Sequence, residues 1–216
     1  RGDAPTTGHT YRYILEKTDG NFIVPLSVYR SGINNDGGFP INISVDTDTI
    51  AALIDLEELP SGTVLLPSDK FSIPASVDML DGEEIAPFNL VIDFDFLMSN
   101  SPNGIYAIGV SIFSPDRNTN PSLSTTIVVI DTKIFKPVPE FSYSVDSENP
   151  KLIHFTNNSI YSKDWTWDFG DNTTESNAKN PDHLYSDFGT YDVMLKAEGI
   201  AGNNESITKS VEVGSQ

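Results

Sequence analysis

Apolar and polar positions alternate along most of this chain, the spacing that sends every second side chain of a β-strand to the same face. Ile41-Asn42-Ile43-Ser44-Val45 is the cleanest case. Residues 22–30 alternate from Val24 onward, with Val24, Leu26 and Val28 on one face and Ser27 and Tyr29 on the other. Pro25 lacks a backbone N–H, which predicts an edge strand or a bulge there. Residues 90–97 predict a strand with Ile92, Phe94 and Phe96 on one side and Asp93 and Asp95 on the other. Residues 105–113 and 125–130 are largely apolar and rich in β-branched side chains, which predicts buried strands. Shorter strands are expected at 64–67, 71–74 and 76–80, with turns at 34–38 and at Asp81-Gly82.

One stretch breaks the period of two. Residues 50–58 are good helix formers, with Ile50, Leu53 and Ile54 on one stripe. Asp48 or Thr49 is placed to cap the start, and Pro60 with Gly62 stops the run. A short helix is predicted.

The best linker is Lys136-Pro137-Val138-Pro139, since two prolines two apart favour an extended connection. Turn signals recur about every 8–12 residues on both sides of it, the spacing of β-sandwiches. The expected fold is therefore all-β: two tandem β-sandwiches, the first with one short helix. The expected divisions are a flexible tether over 1–9, a first sandwich over 10–135, the linker at 136–139 and a second sandwich over 140–216.

In the second part, Trp165, Trp167 and Phe169 alternate with Thr166, Asp168 and Gly170, giving one strongly aromatic face. Asp171-Asn172 follows as a turn. A second strand starts at Gly189, with Tyr191, Val193 and Leu195 inward, and residues 206–213 can close the sandwich.

Three segments in order carry a resemblance: Trp167-Asp168-Phe169-Gly170-Asp171, Pro181-Asp182-His183-Leu184-Tyr185 and Gly189-Thr190-Tyr191. Together they resemble the PKD domain, an immunoglobulin-like sandwich, over about residues 138–213. Asn172 stands where that family usually has glycine. Asparagine tolerates positive φ, so the turn is expected to survive. The resemblance implies a spacer or interaction module on a secreted or surface protein.

Residues 10–135 resemble the N-terminal domain of unknown function of many Bacteroidetes surface lipoproteins, which also precedes the catalytic domain in some family-18 endoglycosidases. The matching features are the strand at 24–29, the short helix, Leu65-Leu66-Pro67, Phe71-Ser72-Ile73, an Asp-Gly before the long strand, and Tyr106-Ala107-Ile108-Gly109-Val110. Relatives often carry Tyr-Ala-Leu-Pro-Val in the last segment, so Gly109 is a departure. The resemblance implies an outer-membrane lipoprotein facing the cell surface, held by an N-terminal lipid anchor not present in this chain and encoded with glycan-utilisation machinery.

Composition narrows the chemistry. The 216 residues include no cysteine, which removes disulfides, thiolate metal sites and thiol nucleophiles. The formal charge is −18, with 8 basic against 18 acidic residues through Lys136 and 5 against 13 beyond it. Acidity on both parts repels phosphate, so neither nucleic acid nor an anionic lipid surface is an expected partner.

Candidate sites are few. Asp93 and Asp95 would share one strand face, whereas glycosidase carboxylates approach a bond from opposite sides of a cleft. The three histidines, His9, His154 and His183, show no metal-ligand spacing. Asp168, Asp171 and Glu175 offer hard oxygen ligands around one turn and are the calcium candidates; the other reading is that these carboxylates hold backbone amides. Tyr161 and Trp165 are the candidate sugar platforms, Trp165 also being placed to pack on the core. No catalytic residue is assigned. The chain is expected to be a non-catalytic surface protein that binds or positions glycans, or acts as a spacer, in polysaccharide utilisation. The alternatives are an accessory region of a carbohydrate-active enzyme and a calcium-dependent adhesion module.

Overall fold

Residues 2–6, 9–31 and 37–214 are described by a computed structural model. The chain forms two compact units, Arg1–Thr132 and Lys133–Gln216. In the first, the elements are β1 (Gly2–Thr6), β2 (His9–Glu16), β3 (Asn21–Tyr29), β4 (Phe39–Val45), α1 (Thr47–Asp55), β5 (Thr63–Leu65), β6 (Phe71–Ser72), β7 (Ser76–Met79), β8 (Ile85–Asp93), α2 (Phe94–Ser99), β9 (Ile105–Phe113) and β10 (Thr125–Asp131). One sheet runs β1-β2-β3-β8-β6; the other runs β10-β9-β4-β7, with β5 parallel to β9.

The two sheets form a β-sandwich. Val28 and Ala86 of one sheet pack with Phe39, Ile41, Met79 and Ile112 of the other. Ile50, Leu90, Ile92, Leu97 and Ala107 are fully buried. Each large apolar side chain removed from water in this way stabilises the fold by about 1.5–3 kcal/mol. Pro25 pairs with Asn89 of β8, whereas the ladder with β2 ends at Ile23. The proline thus sits where β3 has a strand on one side only, which is why its missing donor is tolerated.

Several local expectations change. The opening stretch expected as a tether contains β1, which forms an antiparallel hairpin with β2; Arg1, Thr7 and Gly8 lie outside the described residues. The turn expected over 34–38 falls largely on residues 32–36, also outside them, but Gly37 has a φ of +79°. Helix α1 begins before the expected start, because Asp46 is its cap: its Oδ1 accepts the Thr49 amide at 2.9 Å and its Oδ2 the Thr49 hydroxyl at 2.8 Å. The strand expected over 90–97 stops at Asp93 and turns into α2. Asp93 accepts the Phe96 amide at 2.9 Å, and Phe94 and Leu97, three apart, go inward. A helical cap has overridden the alternation.

Gly109 also has a reason. A Cβ on it would lie 2.5 Å from the Asp46 carbonyl oxygen, and the Asp46 amide donates to the Gly109 carbonyl at 2.9 Å. Only glycine lets β9 come this close to the chain entering α1.

The second unit contains β11 (Phe141–Val145), β12 (Leu152–Asn157), β13 (Ser162–Asp168), β14 (Asp182–Leu184), β15 (Gly189–Gly199) and β16 (Asn204–Val213). Its sheets, β11-β12-β14 and β13-β15-β16, form the second sandwich. Phe141, Ile153, Phe155, Trp167, Val193, Leu195 and Val211 fill its core. Residues 136–139, read above as a connection, lie along this unit: Val138 and Ile160 exchange both backbone hydrogen bonds.

Candidate functional site

The first sandwich opens at one end into a cavity of about 650 Å³. Four chain segments build it. Val28, Tyr29 and Arg30 come from the end of β3, Phe39 and Ile41 from the start of β4, Met79 from the end of β7, and Ile112 and Phe113 from the end of β9. The loop 114–123 supplies Arg117, Asn118, Thr119, Asn120 and Leu123. Register decides this meeting: Phe39 stands opposite Met79, and Asn42 opposite Phe113.

The floor is apolar, since Ile41 and Met79 are buried. The rim is different. Tyr29 is 71% exposed and Phe113 60% exposed. Phe39 is half-buried, with the guanidinium carbons of Arg30 and Arg117 at 4.9 and 5.4 Å from its ring centre. Arg30 donates to the Gly37 carbonyl at 2.7 Å, and the Gly37 amide donates to Asp81 at 2.6 Å.

The loop is pinned. The Ser114 hydroxyl donates to the Pro40 carbonyl at 2.9 Å and accepts the Asp116 amide at 3.3 Å. Asn120 accepts the Ser122 amide at 3.0 Å, and Ile112 donates to the Ser124 carbonyl at 2.8 Å. The result is a concave site with an apolar floor, aromatic edges, amide and hydroxyl side chains and two guanidinium groups, the mixture that small-ligand sites use.

None of these residues was singled out from the sequence. One signal was there: the chain has only four arginines, and Arg117 lies in a polar Asp-Arg-Asn-Thr-Asn loop.

The candidates named from sequence lie in the second unit. Trp165 packs against the core there, its indole N–H donating to Ser162 at 3.1 Å, with the Lys179 ammonium 5.6 Å from the ring centre. Tyr161 is half-buried at a φ of +57°.

Around the turn, Asp168 accepts the Gly170 amide at 2.9 Å. Asp171 accepts the Thr173 amide at 3.2 Å and hydroxyl at 2.6 Å through Oδ1, while its Oδ2 meets His183 Nε2 at 2.7 Å. Burial raises the Asp171 pKa, but the hydrogen bonds from Thr173 and His183 outweigh it, and the net effect is downward. Glu175 is exposed. Among the described residues no three acidic or histidine groups gather in a metal-binding arrangement. Two carboxylates of this turn, Asp168 and Asp171, accept backbone amides, and Asp171 also meets an imidazole.

His183 is part of the packing. Its ring stacks on Phe169, with Tyr185 edge-on at 4.5 Å. The Tyr185 hydroxyl donates to the Phe169 carbonyl at 3.1 Å, and burial pushes its pKa up. Trp167 donates its indole N–H to the Ala178 carbonyl at 3.0 Å. Asn172 adopts a φ of +62°, the conformation glycine would supply.

A family model for the PKD domain matches residues 136–214, and a family model for an N-terminal domain matches residues 3–119. No curated protein matches the chain. Among solved structures, the PKD1 domain of Vibrio anguillarum Epp is 25% identical, over 36% of this chain and 92% of that one, with a TM-score of 0.33. The PKD1 domain of the Vibrio cholerae metalloprotease PrtV is 24% identical, over 37% and 98%, with a TM-score of 0.33. An auxiliary nutrient binding protein from Bacteroides thetaiotaomicron is 12% identical, over 88% and 84%, with a TM-score of 0.39.

Proposed function

Because this chain belongs to the family of that N-terminal domain and carries a PKD domain behind it, we propose that it is a non-catalytic accessory protein that works outside the cytoplasm by binding or positioning glycans. The observation that carries the reading is the aromatic-edged cavity of the first sandwich. Exposed Tyr29 and Phe113 offer flat apolar faces for the C–H side of a sugar ring, and Asn118, Thr119 and Asn120 stand beside them to exchange hydrogen bonds with hydroxyls.

The non-catalytic part of the reading draws on Asp93 and Asp95. Asp93 is engaged as a helix cap and with Lys70 at 3.3 Å, and Asp95 lies in the first turn of α2. These two carboxylates do not face each other across a cleft. The PKD module supports a place outside the cytoplasm; the cell-surface setting and attachment through a lipid anchor are part of the proposal. Among the described residues no helix is long and apolar enough to cross a membrane.

Affinity gels and glycan arrays test the binding. The expected result is retardation by at least one plant, host or microbial polysaccharide, lost in Phe113→Ala. Retardation by none of them would remove the binding reading. Protease treatment of intact producing cells tests the setting, since a surface protein is degraded without lysis.

A further inference from the structure

We propose that the ligand is a neutral oligosaccharide that crosses the loop after β9 and is held on both sides of it, one ring in the cavity at Phe39 and the next in a second cavity beyond Phe113. This deepens the glycan reading, rests on it, and names the ligand by its charge and length.

A second cavity, of about 530 Å³, adjoins the first. Phe113, Ser114, Arg117, Asn118 and Thr119 line both, so this part of the loop is a shared wall. Pro115 and Asp116 line the second alone. Both volumes fall within the roughly 300–1,000 Å³ of small-ligand sites. The wall is anchored from below. Ser114 is buried, and its hydroxyl donates to the Pro40 carbonyl at 2.9 Å and accepts the Asp116 amide at 3.3 Å. The exposed ring of Phe113 therefore stands on a fixed ridge that borders two openings.

The two cavities differ in chemistry. Ile41, Met79 and Ile112 give the first an apolar floor, which suits the C–H side of a ring. The second is polar apart from Phe113 and Pro115. Among the described residues, no hydrogen bond or ion pair within the protein occupies the Asp116 carboxylate or the Asn118 side-chain amide. An ionised carboxylate only accepts hydrogen bonds, so Asp116 selects hydroxyl donors, and a sugar ring offers these on adjacent carbons. The same carboxylate repels an acidic sugar, as does the net charge of −18. Arg30 and Arg117 are engaged within the protein and carry no part of this selection. Two rings joined by a glycosidic bond enter the two cavities as one linked ligand. Once the first is seated, the second binds at a high effective concentration. Affinity then rises with chain length until both cavities are filled.

The test is calorimetry with malto-, cello-, xylo- and manno-oligosaccharides, each from monomer to hexamer, beside an oligogalacturonate series. At least one neutral series is expected to gain about tenfold or more in affinity between monomer and trimer. Asp116→Ala is expected to reduce that gain below about threefold, and Asp116→Asn, which keeps one acceptor, to restore part of it. Asp116→Lys places a longer side chain in the second cavity and is expected to abolish the gain. Tyr29→Ala is expected to weaken every member of the series alike and to leave the gain in place. Asp116 is exposed on the loop, so its variants are expected to melt with the wild type. Three results overturn the inference and leave glycan binding standing: a monomer that binds as tightly as its trimer and hexamer, oligogalacturonate that binds more tightly than every neutral series, or a gain unchanged in both Asp116→Ala and Asp116→Lys. No binding by any series overturns the inference too, and blank glycan arrays beside it overturn the glycan reading as well.

Discussion

His183 lies flat on Phe169, with ring centres 3.9 Å apart and planes 8° from parallel. The stack leaves Nε2 of His183 against Asp171 at 2.7 Å and so ties β14 to the turn after β13. His183→Ala removes the stack and leaves the half-buried Asp171 carboxylate one partner short. A loss of about 2–3 kcal/mol is expected in urea unfolding of the second unit. His183→Phe keeps the stack and gives up the hydrogen bond, so its loss is expected to be smaller. Equal losses in the two variants would refute the division between stacking and hydrogen bonding.

Gly170 and Gly109 sit where a chain passes too close for a side chain. A Cβ on Gly170 would lie 2.6 Å from the Asp192 carbonyl oxygen, and its φ is +74°. A Cβ on Gly109 meets the Asp46 carbonyl oxygen at 2.5 Å. Alanine at either position is expected to cost about 2 kcal/mol or more, Gly170→Ala in the second unit and Gly109→Ala in the first. Thermal melts that match the wild type would show that these backbones can move apart freely.

His154 bridges two carboxylates, with Nδ1 2.7 Å from Asp182 and Nε2 3.2 Å from Asp146. The hydrogen bond to Asp182, then that to Asp146, raises the imidazole pKa above its ordinary 6.5. A raised histidine adds stability that is fully present below that ordinary value and is lost as pH rises through the folded one. Asp146 is shifted the other way, first by the Glu148 amide and then by His154. Its contribution is present above the ordinary carboxylate value of 3.8 and is lost as pH falls through the folded value. The melting temperature of the second unit is therefore expected to fall on the alkaline side of 6.5 and again in strong acid. His154→Gln is expected to remove the alkaline limb and to weaken the acid limb, which the Glu148 amide still supports. A variant whose profile runs parallel to the wild type would contradict this.

Asp46 joins a helix cap to a sheet. It accepts the amide and hydroxyl of Thr49, and its Oδ2 also accepts the Ser111 hydroxyl of β9 at 3.1 Å. The Thr49 amide, followed by the Thr49 hydroxyl, lowers its pKa below 3.8. Asp46→Ala is expected to destabilise the first unit by about 1 kcal/mol, within the usual range for a lost N-cap. Asp46→Asn is expected to recover most of that loss. Chemical denaturation of the two variants decides the point.

Much of the fold was legible in local pattern. Alternation at residues 41–45 and 105–113 marked β4 and β9, and the spacing of Trp167, His183, Tyr185 and Tyr191 marked the PKD sandwich with its Asn172 turn. The α1 boundary and the end of β8 were misplaced for one reason: a side chain accepting an amide three residues ahead is a local hydrogen bond that hydropathy does not record. Asp46 and Asp93 each make that bond.

Of the candidate site, only the rarity of arginine and the polar loop around Arg117 were legible. Arg30 and Phe39 reach Phe113 and Arg117 only because strand register brings distant segments together; the bond that pins their loops joins Ser114 to Pro40, 74 residues apart. By itself the sequence determined which faces of each strand avoid water, because burial of every second side chain is a property of neighbours along the chain. Tertiary structure alone decided which strand ends meet, and with them the position of the two guanidinium groups, because register is a property of pairs that no local period encodes.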